Sequence, residues 1–166
     1  MVPAITFEPT HDLALIRSIF VHPRVWPYIS DDGSPAVENF QPIDHAGVLY
    51  LLAFDGETLL GLWMFVQQNA VTVEVHTALL PGHGYRRGRE AARGAAEWIW
   101  AHTKCQRIFT NVPACNRIAR KFAEAAGMTE FGTNFKSYLK NKVLQDQTLL
   151  GISRPKENTM LNQVEN

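Results

Sequence analysis

Between residues 72 and 92 the chain brings together the residue types that could do acid–base and anion chemistry. Val71, Val73 and Val75 alternate with Thr72, Glu74 and His76, a period of two that predicts a strand with its polar side chains on one face. Glu74 and His76 therefore point the same way, and either could accept a proton from a nucleophile. His76 has the better intrinsic pKa for work near neutrality, whereas Glu74 needs an apolar setting to raise its own. The strand then breaks at Leu79-Leu80-Pro81-Gly82-His83-Gly84, and Tyr85-Arg86-Arg87-Gly88-Arg89-Glu90-Ala91-Ala92 opens a helix. Glycines there let backbone amides approach a ligand, and the first amides of a helix have no partners within it. Placing Arg86, Arg87 and Arg89 at the positive end of the helix dipole is awkward for an empty helix. Two readings stand side by side. A bound polyphosphate would use both the amides and the guanidiniums; alternatively the helix start is simply basic and solvated, with Glu90 offsetting part of the charge. No Gly-x-Gly-x-x-Gly and no Gly-Lys-Ser/Thr occurs, so dinucleotide-binding and Walker-type loops are excluded.

The surrounding pattern predicts what positions these groups. A short strand is expected at 4–8, then a helix at 11–20 with Thr10 as its N-cap and Leu13, Ile16 and Phe20 on one face. Residues 22–44 hold four prolines and read as irregular, with one short helix at 25–29. Strands at 48–54 and 59–66 flank Asp55-Gly56, a pair that suits a type I′ hairpin turn. After the central strand comes the helix, with Gly88, Ala91, Ala92, Ala95, Trp98 and Ile99 on its inward face. A strand at 107–110, a helix from about Asn116 to a stop at Gly127, and a hairpin at 133–139 and 143–152 closing on Asn141-Lys142 complete the order. The class is α/β, a mixed and mostly antiparallel sheet with helices on both faces. Residues 1–154 read as one domain and 155–166 as a polar, loose tail.

Composition removes several functions. Among 166 residues, 16 basic side chains balance 16 acidic ones, which argues against a general nucleic-acid binder. No apolar run approaches about 18 residues, and no secretory signal opens the chain, so a cytoplasmic protein that makes no membrane contact is expected. The two cysteines, Cys105 and Cys115, have no zinc or redox spacing, and the six histidines form no ligand cluster, so no metal is expected. Trp100, read as lying off the core face, marks a surface for a partner or a second copy of the chain.

The element order, with Leu79-Leu80-Pro81 running into Tyr85-Arg86-Arg87-Gly88-Arg89-Glu90-Ala91-Ala92, resembles the GNAT superfamily of acetyl-CoA-dependent N-acyltransferases. Asn116 to Met128 is similar to the family's late helix, which starts at an Asn and ends in Gly-Phe. The closing hairpin, with Asp146 before an apolar strand, is similar to the ribosomal-protein N-acetyltransferase branch. The resemblance spans residues 5–154 and implies acetyl-CoA as acyl donor and a primary amine, on a small molecule or a protein, as acceptor. It implies that Arg86, Arg87, Gly88, Arg89 and Ala91 lie at the coenzyme diphosphate, with Asn116 near it. It also implies that Ala78, Leu79 and Leu80 offer backbone donors to the thioester and pantetheine, and that Trp26, Tyr28, Asp31 and Asp32 line the acceptor site. Glu74 and His76 become the candidate proton acceptors. Two positions depart from the family pattern. Arg89 stands where the first motif glycine belongs, and Ala123 stands where many members carry a Tyr that protonates the departing thiolate. Those departures keep a second reading open, in which a GNAT-like fold serves as a binding or structural module.

Overall fold

A computed structural model describes residues 4–156, so most of the expected tail lies outside the described residues. Seven strands, β1 (Ile5–Thr10), β2 (Val48–Asp55), β3 (Thr58–Gln67), β4 (Thr72–Leu79), β5 (Arg107–Pro113), β6 (Thr129–Lys140) and β7 (Val143–Ser153), form one sheet. Its order is β1-β2-β3-β4-β5-β7-β6. Only the β4–β5 pair is parallel, as the intervening α3 (Tyr85–His102) requires of a crossover connection. Helices α1 (Leu13–Phe20) and α2 (Trp26–Ile29) cover one face of the sheet, while α3 and α4 (Arg117–Ala125) cover the other. Among the described residues no helix is long and apolar enough to cross a membrane.

Each face has its own core. Under α3, small residues bring the helix axis close to the sheet: Ala91 and Ala95 are fully buried against Leu51, Trp63, Phe65 and Val75. Gly94 completes this surface, because a Cβ there would come within 2.6 Å of the Phe7 ring. The apolar stripe of α3 is the expected one, widened by one residue: Ala92 and Trp98 pack against the core beside Ala91, Ala95 and Ile99. Trp100 is buried, at 8% exposure, and Trp98 is partly buried against the core while stacking on His102. Trp100 is thus a core residue, and the partner surface expected there is not formed by it. On the opposite face Ile16, Ile19 and Phe20 of α1 pack on Tyr50, Leu52, Leu62 and Ala78.

Local chemistry corrects three further expectations. Asp12, not Thr10, caps α1, its carboxylate accepting from the Leu15 N–H at 3.0 Å. The β2–β3 turn uses Gly56-Glu57, with positive φ at Gly56 alone, so it is not type I′. The type I′ arrangement belongs to β6–β7, where Asn141 and Lys142 have φ of 53° and 62°. β5 also continues to Pro113, three residues past its expected end, which matters for the cleft.

Candidate active site

The central opening of the sheet follows from unequal hydrogen bonding. β4 and β5 pair only where Thr72, Val73 and Glu74 face Arg107, Ile108 and Phe109. Beyond that point β7 holds β5 along its whole length, while β4 stays with β3 and turns toward α3. The two strands diverge, and a cavity of about 800 Å³ opens between them. Gly88, Ala92, Ala119 and Phe122 wall it on the helical side; Tyr28, Asp31, Glu74 and His76 wall it on the opposite face. It passes through the sheet and joins the start of α3 to an acidic, aromatic vestibule.

The open edge of β4 carries the backbone groups, and alternation decides which ones. The Leu80 N–H is given to the Leu60 carbonyl at 2.9 Å. In an antiparallel ladder the next residue bonded to β3 is Ala78, whose carbonyl lies where a Cβ on Gly61 would stand. Ala78 and Leu80 are therefore spent within the sheet. Of the three expected donors, Leu79 alone turns its amide to the cleft.

At the start of α3, Gly84 is the N-cap residue and no side chain caps it. The three arginines diverge. Arg87 donates to both Asp55 carboxylate oxygens and, at 2.6 Å, to Glu90, which raises its already high pKa and lowers that of Asp55. Arg86 is largely exposed and pairs with Glu90 at 3.0 Å. Both guanidiniums are thus engaged by acids of the chain itself, Arg87 in a partly buried pair and Arg86 at the surface. Arg89 lies over the Tyr85 ring, 5.5 Å from its centroid, and its Nε is buried without a partner among the described residues. Ala91 is buried in the core rather than placed on the cleft. His83, which the sequence reading passed over, lines the cavity with both ring nitrogens buried and unpartnered among the described residues.

Across the sheet, the carboxylate of Glu74 and the imidazole of His76 are 3.6 Å apart. Asn111, two residues beyond the last β4–β5 pair, donates to Glu74 Oε1 at 3.0 Å, and Gln68 reaches Oε2 at 3.5 Å. Desolvation lowers the His76 pKa below its ordinary value, although the Glu74 charge opposes this. A neutral imidazole facing the cavity can take a proton from an amine. Asn111 was missed because the strand was expected to stop at 110; carrying its alternation one step further places this side chain at Glu74.

The four expected acceptor residues separate into two pairs. Tyr28, 59% exposed, and Asp31 line the cavity with Arg24, Phe40, Ile43 and Tyr50. Trp26 packs edge-on against Phe40 at 5.1 Å, and Asp32 accepts the Asn141 and Lys142 N–H groups at 2.7 Å each. Those two brace the vestibule instead of lining it. Tyr138 and Lys140 of β6 add to the brace by donating to the Ser30 carbonyl. Asn116 caps α4 through the Ala119 N–H at 3.1 Å and also lines the cavity. Ala123, 7% exposed, offers no hydroxyl at this wall, and neither does its neighbour Phe122.

No family model and no curated protein sequence matches the chain. Solved structures do. Spermidine N-acetyltransferase from Vibrio cholerae in complex with CoA and spermine superposes with a TM-score of 0.71 at 17% identity, covering 90% of this chain and 95% of that one. A chimera of the Vibrio cholerae enzyme with hSSAT gives a TM-score of 0.73 at 18% identity over 90% and 95% of the two chains. AAC(6')-Ib in complex with paromomycin and acetyl-CoA gives 0.69 at 14% identity over 91% and 94%. At these identities the likeness establishes the fold: a GNAT-type sheet with its central strands splayed.

Proposed function

We propose that this chain is an N-acetyltransferase that moves an acetyl group from acetyl-CoA to a primary amine. The observation that carries the reading is the cleft through the sheet, with backbone donors and a glycine-opened helix on one side and an acid–imidazole pair on the other. Such a passage lets two substrates meet from opposite faces. The residues suit the donor: the uncapped first turn of α3 and Arg89 can hold a diphosphate, and the free edge of β4 can pair with an amide-bearing arm. When bound, acetyl-CoA supplies an acetyl group already activated as a thioester. The Leu79 N–H is placed to polarise a carbonyl oxygen in the cleft. Asp31 and Glu74 attract a cationic amine, and His76, neutral near pH 7, removes its proton. That spermine and paromomycin, both polyamines in the chemical sense, occupy two proteins of this fold supports an amine acceptor.

Titration calorimetry with acetyl-CoA, followed by amine-dependent release of free thiol, tests the proposal. Saturable binding and thiol release with a diamine are the expected results; no heat at millimolar coenzyme would overturn it. A second reading, a GNAT-like binding or structural module, is favoured by Ala123 in place of a hydroxyl and by the engagement of Arg87 with Asp55. Binding of acetyl-CoA without thiol release to any amine tested would select it.

A further inference from the structure

The Glu74 carboxylate and the His76 imidazole stand 3.6 Å apart, too far for a hydrogen bond and near enough to close after a small side-chain rotation. The oxygen facing His76 Nε2 is Oε1, and that same oxygen accepts from Asn111 Nδ2 at 3.0 Å. Asn111 reaches it from β5, on the other bank of the cleft. The orientation of the carboxamide is set by chemistry, because an ionised carboxylate only accepts and so must meet the nitrogen end. The opposite end is left idle: Asn111 Oδ1 is shielded from water and has no partner among the described residues. A buried carbonyl oxygen without a partner is uncommon, and this one belongs to a residue that lines the cavity.

We infer that Asn111 is a positioning residue: it tethers the Glu74 carboxylate and so prevents a closed Glu74–His76 ion pair, keeping the imidazole neutral for proton acceptance. The consequence for catalysis rests on the transferase reading; the tether itself does not. Released from Asn111, the carboxylate would swing onto His76 and stabilise its charged form, since the remaining bond from Gln68 is long and engages the other oxygen. Other groups around this cavity are Met64, opposite His76 on β3; Arg24, Tyr28, Asp31 and Tyr50 from the α1–α2 side and β2; Tyr138 from β6; and, on the α3 side, His83 and Tyr85. Among the described residues Glu74 is the acid within 4.0 Å of the His76 ring nitrogens, so Asp31 makes no ion pair with it.

Histidine NMR titration of the ligand-free chain tests this, with His76→Gln used to assign the resonance. Asn111→Ala and the smaller change Asn111→Ser should each raise the His76 midpoint by roughly one pH unit, the scale of an opposite charge brought into contact. In a Glu74→Gln background the same substitutions should leave the midpoint where Glu74→Gln alone puts it. An unchanged midpoint in whichever Asn111 variant retains the native spectrum, or a rise that persists without Glu74, overturns the tether. In an active enzyme the acid limb of kcat/KM should move upward with the NMR midpoint in Asn111→Ser. The titration needs no turnover: if the Asn111 variants show the NMR shift while the wild-type chain releases no thiol, the transferase reading is retired and the tether stands.

Discussion

Gly88 offers a way to separate what the fold needs from what a ligand needs. It is the fourth residue of α3 and has ordinary helical φ, so nothing in its backbone calls for glycine. Replacing glycine by alanine inside a helix stabilises it by about 1 kcal/mol. Against this, the new methyl would sit 3.4 Å from Leu79 Cδ1 and Phe122 Cε2, and 3.6 Å from His83 Cε1. These are ordinary van der Waals separations, so the contacts take little from that gain. Gly88→Ala should therefore leave stability unchanged or raise it by up to about 1 kcal/mol, a Tm rise of up to about 4 °C at this chain length. The methyl also projects toward the cavity that Gly88 lines. If the coenzyme arm lies against α3, its affinity should fall by about tenfold, or 1.4 kcal/mol. Scanning calorimetry and acetyl-CoA titration on the same preparation read both effects. A variant with raised Tm that binds acetyl-CoA as tightly as its parent would refute the placement of the donor at this helix.

Three other outcomes follow from the geometry. Because partial desolvation at the cavity lowers the His76 pKa, kcat/KM should decline on the acid side with a midpoint below 6.5, and His76→Gln should remove that limb from a pH–rate profile. Gly61→Ala would drive a Cβ into the Ala78 carbonyl and should cost about 1–3 kcal/mol in urea unfolding, with β3–β4 strained beside the cleft. Asp55 has its pKa lowered by Arg87, so its stabilisation is present above its ordinary value of 3.8 and disappears as pH falls through the lower folded-state value. Thermal melts of Asp55→Asn should accordingly lie below wild type at pH 7 and converge with it at strongly acid pH.

Most of the fold was legible because its signals are local. Alternation marked β4, small residues marked the sheet-facing side of α3, and Gly127 with φ of 102° ends α4 where a C′ glycine is expected. Errors arose where a tertiary contact outweighed a local rule. Trp100 is buried because the apolar stripe of an 18-residue helix facing a twisted sheet is wider than a strict 3.6-residue reading allows. Thr10 and Asp12 are both good N-caps, and strand pairing of Thr10 with Tyr50 leaves the cap to Asp12.

The site was less legible, for a reason that sets its physics. A sequence gives charges their order but not their partners. Arg87 looks like a phosphate ligand until the β2–β3 turn delivers Asp55, 32 residues away, to its guanidinium. Ala78 and Leu80 look equivalent to Leu79 until the register with β3 shows which amides the sheet has consumed. Asn111 looks like a polar residue near a strand end until β5 is followed past its last pairing with β4. For Arg87 the deciding contact is the packing of α3 on the end of β2; for the other two it is a cross-strand register. The positive charge that drew attention to α3 is thus mostly neutralised within the protein, through Asp55 and Glu90. What stays available to a ligand is the open edge of β4, the uncapped helix start and the unpartnered nitrogens of His83 and Arg89. A donor held chiefly by backbone groups should bind with weak salt dependence, since few ion pairs are exchanged. Acetyl-CoA affinity that collapsed with rising salt would return Arg86 and Arg87 to the diphosphate and reverse this assignment.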